Sequence, residues 1–161
     1  MKYVLTIVWI LISPLWSTII NIKYWIINHK DLKKALEAKK ELDSKLAVYK
    51  LSHAVRIMKK FKWRQDNYGD WVPWIITILN EEYTDDCDGA AKLAKYMLKK
   101  LGLHAKILHL RNFETNNGHA VCHLPKHNLL FSNSDVIRLS KDMDQFKAIK
   151  YAFNNRYTHI L

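Results

Sequence analysis

The chain has 161 residues, 49% of them apolar, with only four glycines and three prolines, which fits one core and excludes a disordered or low-complexity protein. Its two cysteines, Cys87 and Cys122, make no disulfide framework, and no CxxC or Cys/His spacing of a zinc site occurs. The net charge of +11 is front-loaded: residues 1–62 carry thirteen Lys/Arg against four Asp/Glu, and residues 63–161 carry thirteen against eleven, so the charge does not mark the whole domain as a nucleic-acid binder.

Tyr3 to Ile22 contains no charged residue and is rich in Ile, Leu, Val and Trp. Its length matches the hydrocarbon core of a bilayer, and a membrane helix tolerates Pro14. Trp9, Trp16, Tyr24 and Trp25 suit the interfaces. Residues 1–28 are therefore read first as a membrane anchor. A cleaved signal peptide is the second reading, although no small-x-small site follows. A buried element of the fold is the third. Lys23, Lys30, Lys33 and Lys34 follow the stretch and only Lys2 precedes it. That bias favours a cytoplasmic domain over residues 29–161, with a secreted one as the alternative.

Asp31 to Phe61 reads as one long amphipathic helix. Leu32, Leu36, Leu42, Leu46, Leu51, Ala54 and Met58 recur at helical spacing, with lysines opposite. Those lysines form a solvated face, or else a surface for anionic lipid. Trp63 to Gly69 breaks the helix, and Pro73 opens another through about Glu82. From Asp85 a third helix runs to Lys100, with Thr84, Asp85 and Asp86 as N-cap candidates and Gly102 as its left-handed stop. Ala105 to Leu110 reads as a strand, Arg111 to Gly118 as a polar loop, and His119 to Leu124 as a second strand. Pro125 to Asn128 is a turn, and Leu129 to Asn133 an antiparallel third strand. A last helix spans Ser140 to Phe153, with Asp144 near its capping-box position, and Tyr157 to Leu161 adds an edge strand.

The chemistry concentrates at Asp85-Asp86-Cys87-Asp88-Gly89-Ala90-Ala91. Cys87 is predicted in a first helical turn, where free N–H groups and the helix dipole favour a thiolate. Gly89, Ala90 and Ala91 keep that turn slim. A nucleophilic thiol also needs a base, and His119, after Gly118 at the start of a strand, is the best candidate. A third group should orient its ring. If the facing strand pairs residues summing to 252, that group is Asn133. A sum of 253 gives Ser134, and 254 gives Asp135. Cys122 falls on the opposite strand face and reads as core. His104, His109 and His123 are weaker candidates.

These residues, in this order, resemble a known family. Asp-Cys-Asp-Gly-Ala-Ala, a helix ending Leu-Gly, the strand Ala-Lys-Ile-Leu-His-Leu, Gly-His-Ala-Val and Leu-Leu-Phe-Ser-Asn are similar to the transglutaminase-like cysteine peptidases, particularly their small bacterial and phage members. Trp63, Asp66, Asp70, Trp71 and Pro73 look like the segment before the cysteine. The likeness covers about residues 60–157. It implies an α+β, papain-like core with the cysteine helix packed on a small antiparallel sheet. In this chain an apolar N-terminal helix and a long amphipathic helix precede that core. It also implies Cys87 as nucleophile, His119 as base and Asn133 as third member, with Asp135 as the alternative. The implied partner is a protein or peptide amide, with no metal or other cofactor. Two rivals remain: a transamidase of the same fold, and a catalytically silent, membrane-tethered binding protein.

Overall fold

The computed structural model describes residues 32–48, 50–65, 75–80 and 82–161. The apolar stretch 3–22, the Asp31 cap, and Asp66, Asp70, Trp71 and Pro73 lie outside them. No helix among the described residues is long and apolar enough to cross a membrane.

Two helices, α1 (Leu32–Val48) and α2 (Leu51–Met58), stand where the sequence predicts a single one. Lys50 between them is extended, at φ −88° and ψ 174°. The buried stripe of α1 runs through Ala35, Leu42 and Leu46. One turn further, a continuous helix would carry that stripe onto Lys50. Burying an unpaired ammonium costs far more than a helix break. The chain therefore bends, leaves Lys50 exposed and buries Ala54, Ile57 and Met58 instead. Two pairs at i,i+4 spacing, Lys39–Asp43 and Lys45–Glu41, run along α1. Asp43 also accepts from the Tyr96 hydroxyl and from Lys100 Nζ, tying α1 to the helix that begins at Cys87.

A short strand β1 (Lys62–Trp63) pairs in parallel with β2 (Thr84–Asp85), with α3 (Ile75–Asn80) between them in sequence. Thr84 and Asp85 are thus strand residues, and Asp86 caps α4 (Cys87–Lys100). Gly102, at φ +71°, follows the end of α4, the left-handed position that glycine adopts without strain.

Five antiparallel strands follow: β3 (Lys106–Asn112), β4 (Asn117–Leu124), β5 (Leu129–Ser132), β6 (Asp135–Arg138) and β7 (His159–Ile160), in the order β6-β5-β4-β3-β7. The hairpin takes in Arg111, Asn112 and Asn117, which the sequence places in a loop. Asn112 Oδ1 closes its turn by accepting from the Glu114 and Thr115 N–H groups at 3.0 and 3.2 Å. The sequence does not predict β6. Asn133, at φ +51°, turns the chain with Ser134, so β5 stops at Ser132 and β6 returns beside it. Helix α5 (Gln145–Ala152) starts later than Ser140, because Asp144 accepts from the Phe146 and Lys147 N–H groups at 3.0 and 3.2 Å.

Alternation along the strands feeds two cores. Ala120, Cys122, Leu124 and Phe131 pack with α4 through Ala91, Leu93, Ala94 and Leu98, and α1, α2 and α3 complete that layer. Leu110, Val121 and Leu130 face the other way, onto Ala148 and Ile149 of α5 and onto Tyr157. Each large apolar side chain so buried contributes about 1.5–3 kcal/mol. Helix α4 is therefore held from both sides, with the half-buried Cys87 at its start.

Candidate active site

Cys87 is the first residue of α4. Asp86 before it is extended, and its carboxylate accepts from the Asp88 N–H at 3.0 Å. Asp85 is buried and accepts from the Asp86 N–H at 2.8 Å. The small residues Gly89, Ala90 and Ala91 let α4 approach the sheet closely enough for the half-buried Cys87 Sγ to accept from the Ala120 N–H, at 3.4 Å. Strand β4 pairs with β5 only from Cys122 to Leu124, so this N–H lies beyond the last pair. Burial pushes the Cys87 thiol up, the Asp86 and Asp88 carboxylates push the same way, and the Ala120 N–H opposes them. The helix start alone, which the sequence credits with favouring a thiolate, is outweighed by burial and by two neighbouring acids.

His119, next to Ala120 on β4, is half-buried. Its ring stacks on Tyr157, with centroids 6.0 Å apart and planes 15° off parallel. Phe153 meets it edge-on at 5.6 Å. Nε2 lies 2.8 Å from Ser132 Oγ. Burial lowers the affinity of the ring for a proton, the Arg156 guanidinium lowers it further, and Asp86 acts in the opposite sense. The result is a neutral imidazole near neutral pH. The sulfur bonds to Ala120 and the ring to Ser132, so the two are not hydrogen-bonded to each other in this arrangement.

The β4–β5 pairs sum to 253, as in Cys122–Phe131 and His123–Leu130. The strand ends before that register reaches His119. Asn133 sits in the turn with its Oδ1 buried and without a hydrogen-bond partner among the described residues. Asp135 is exposed on β6, opposite Ser132. The sequence reading passed over Ser132, Phe153, Arg156 and Tyr157. Only the parity of Ser132 with His119 in the 253 register could have singled one of them out. Cys122 is fully buried, and its thiol is pushed up to about 12. His123 is buried against Gln145 Nε2, while His104 and His109 are exposed.

Among the described residues no group of three or more His, Cys, Asp and Glu could hold a metal ion. The acids around Cys87 instead turn oxygens to backbone N–H groups: Asp85 to Asp86, Asp86 to Asp88, and Asp88 to Gly89.

No family model matches the sequence, and no curated protein matches it. Among solved structures, the fold is similar to that of Legionella pneumophila LapG in its calcium-bound form. The TM-score is 0.52 at 16% identity, over 76% of this chain and 78% of that one. The shared feature is an α+β fold in which a helix, here with Cys87 at its start, packs on a five-stranded antiparallel sheet.

Proposed function

We propose that the chain is a cysteine-dependent acyl transferase acting on amide bonds, in the first instance a peptidase or amidase. The observation that carries this reading is the Ala120 N–H bond to Cys87 Sγ, which sets the thiol beside the residue that follows the half-buried His119. His119 accepts the thiol proton, and the thiolate forms a bond to the amide carbonyl carbon. The negative charge that develops on the oxygen is met by the backbone N–H of Cys87 at the start of α4. The C–N bond then breaks as His119 returns the proton to the leaving amine, which leaves a thioester. Water, deprotonated by His119, attacks the thioester, and the acid and the thiol are released. A second amine in place of water gives transamidation. The group that orients His119 comes from the end of β5 and its turn, the stretch that also carries Asn133 and leads to Asp135.

A neutral thiol beside a neutral imidazole suits this scheme, because proton transfer is then coupled to substrate arrival. LapG in the comparison is calcium-bound. The described residues of this chain do not assemble such a site, and no step above involves a metal. The substrate is a protein or peptide, and residues 1–28 tether the domain to a membrane with the site on the cytoplasmic side.

The silent binding protein remains the second reading, favoured by the bond from sulfur to Ala120 rather than to the ring. Alkylation by iodoacetamide at pH 7 separates the two. Cys87 is expected to react much faster than Cys122, to slow strongly in His119→Ala, and to be required for amide cleavage. Cys87 reacting no faster in the intact chain than in His119→Ala would favour the silent protein.

A further inference from the structure

This inference rests on the cysteine chemistry just proposed. We propose that the Ser132 hydroxyl, rather than an amide or a carboxylate, is the positioning group of His119: it holds Nε2 and leaves Nδ1 to exchange a proton with Cys87.

Ser132 Oγ is the atom that meets the ring, at 2.8 Å. The register explains why. Continued one residue beyond the last pair, Cys122–Phe131, the 253 register leads Ser132 toward Val121, which shares a strand face with His119 two residues away. A hydroxyl there reaches diagonally to the ring. Ser132 is only 6% exposed, so water competes little for that bond. The ring has few other orientations, because Tyr157 covers one face and Phe153 abuts it. With both nitrogens in a plane fixed by aromatic neighbours, a partner on Nε2 determines where Nδ1 points. Asn133 lies past the strand end in a left-handed conformation, and Asp135 is exposed on the neighbouring strand.

The choice of a hydroxyl has a chemical consequence. In the Nε2–H tautomer the serine oxygen accepts from the ring without adding negative charge, which leaves the ring neutral. The charged and titratable groups that act on the ring are Arg156, from the segment after α5, and Asp86, at the start of α4. Tyr157 stacks on the ring, and its hydroxyl is itself held protonated by burial. A carboxylate in place of Ser132 would favour the imidazolium and raise the pH at which the ring becomes a free base.

The test is the rate of Cys87 alkylation by iodoacetamide on the full chain, with ¹⁵N NMR of its histidines. Ser132→Ala is expected to slow alkylation at pH 7 by about tenfold, a modest part of what general-base assistance supplies. Ser132→Thr, which keeps the hydroxyl, is expected to stay close to the unmodified chain. Ser132→Asp is expected to move the acidic limb of the pH–rate profile upward, which a merely structural role would not do. NMR of the unmodified chain is expected to give the Nε2–H tautomer of His119. A greater loss in Asn133→Ala or Asp135→Ala than in Ser132→Ala, or an Nδ1–H tautomer, would overturn the assignment to Ser132. Slow alkylation in His119→Ala with none in Ser132→Ala would overturn this inference alone. Full reactivity in His119→Ala would overturn the cysteine chemistry beneath it.

Discussion

Gly89 is buried in the first turn of α4, and a Cβ there would fall inside contact distance of the Asp85 carboxylate. Its backbone is helical, so the glycine is required for room rather than for conformational freedom. The carboxylate cannot simply swing aside, because Asp85 is buried and accepts from the Asp86 N–H. That bond in turn sets the cap from which Cys87 projects. Gly89→Ala is therefore expected to destabilise the fold by about 1–3 kcal/mol, the usual cost of overpacking. Urea unfolding measures it. In an Asp85→Gly background the added methyl meets neither the carboxylate nor the Cβ of residue 85, so its extra cost should shrink. Strictly additive costs in that double-mutant cycle would show that some other contact is responsible.

Strand β4 carries three titratable groups in five residues, the half-buried His119 and the buried Cys122 and His123. Burial is the largest cause of the shift at each, so the pH response of the fold is a property of this strand. Both histidines bind protons less well folded than unfolded. The unfolded chain then holds the extra protons below about pH 6.5, the ordinary histidine value. Stability from these two groups is thus full above that pH and is lost as pH falls through their folded values. Cys122 has the opposite sense. Its folded value, about 12, lies above the ordinary 9.0, so its contribution is full below pH 9 and declines as pH rises toward 12. Urea midpoints are expected to be highest between these windows and to fall on both sides. His123→Gln should flatten the acidic limb. An unchanged acidic limb in that variant would place the response on other groups.

Among the described residues the five-stranded sheet lies between two apolar layers, with α4 buried by helices on one side and strands on the other. This arrangement brings the helix start, the end of β5 and the segment after α5 to one place. The stretch 3–22 lies outside the family-like region of about residues 60–157. Removal of residues 1–28 is accordingly expected to release the protein from membranes, followed by vesicle flotation, while Cys87 alkylation continues at the rate of the full chain. A truncated chain that aggregates, or whose Cys87 behaves as an ordinary thiol, would return that stretch to the core.

The helix from Cys87 to Lys100 was legible in the sequence because its signals are local. An acidic cap, a 3.6-residue apolar stripe and a terminal glycine all act within a few residues. The alternation of β4, the burial of Cys122 and the antiparallel return through Pro125–Asn128 were legible for the same reason. The break at Lys50 was not read, although the lysine falls on the stripe, because helical propensity alone carries a pattern straight through one polar position. The short strand β6 and the pairing of Lys62–Trp63 with Thr84–Asp85 were decided by backbone bonds to residues distant in sequence, which no periodicity marks. The surroundings of His119 belong to the same class. A strand register one residue off changes every cross-strand neighbour, and only the packed sheet, with β5 stopping at Ser132, fixes which side chain meets the ring. The sequence could name a thiol, a histidine and their elements. The tertiary structure alone set the burial and the neighbouring charges that shift both groups, because desolvation depends on what the rest of the chain lays over them.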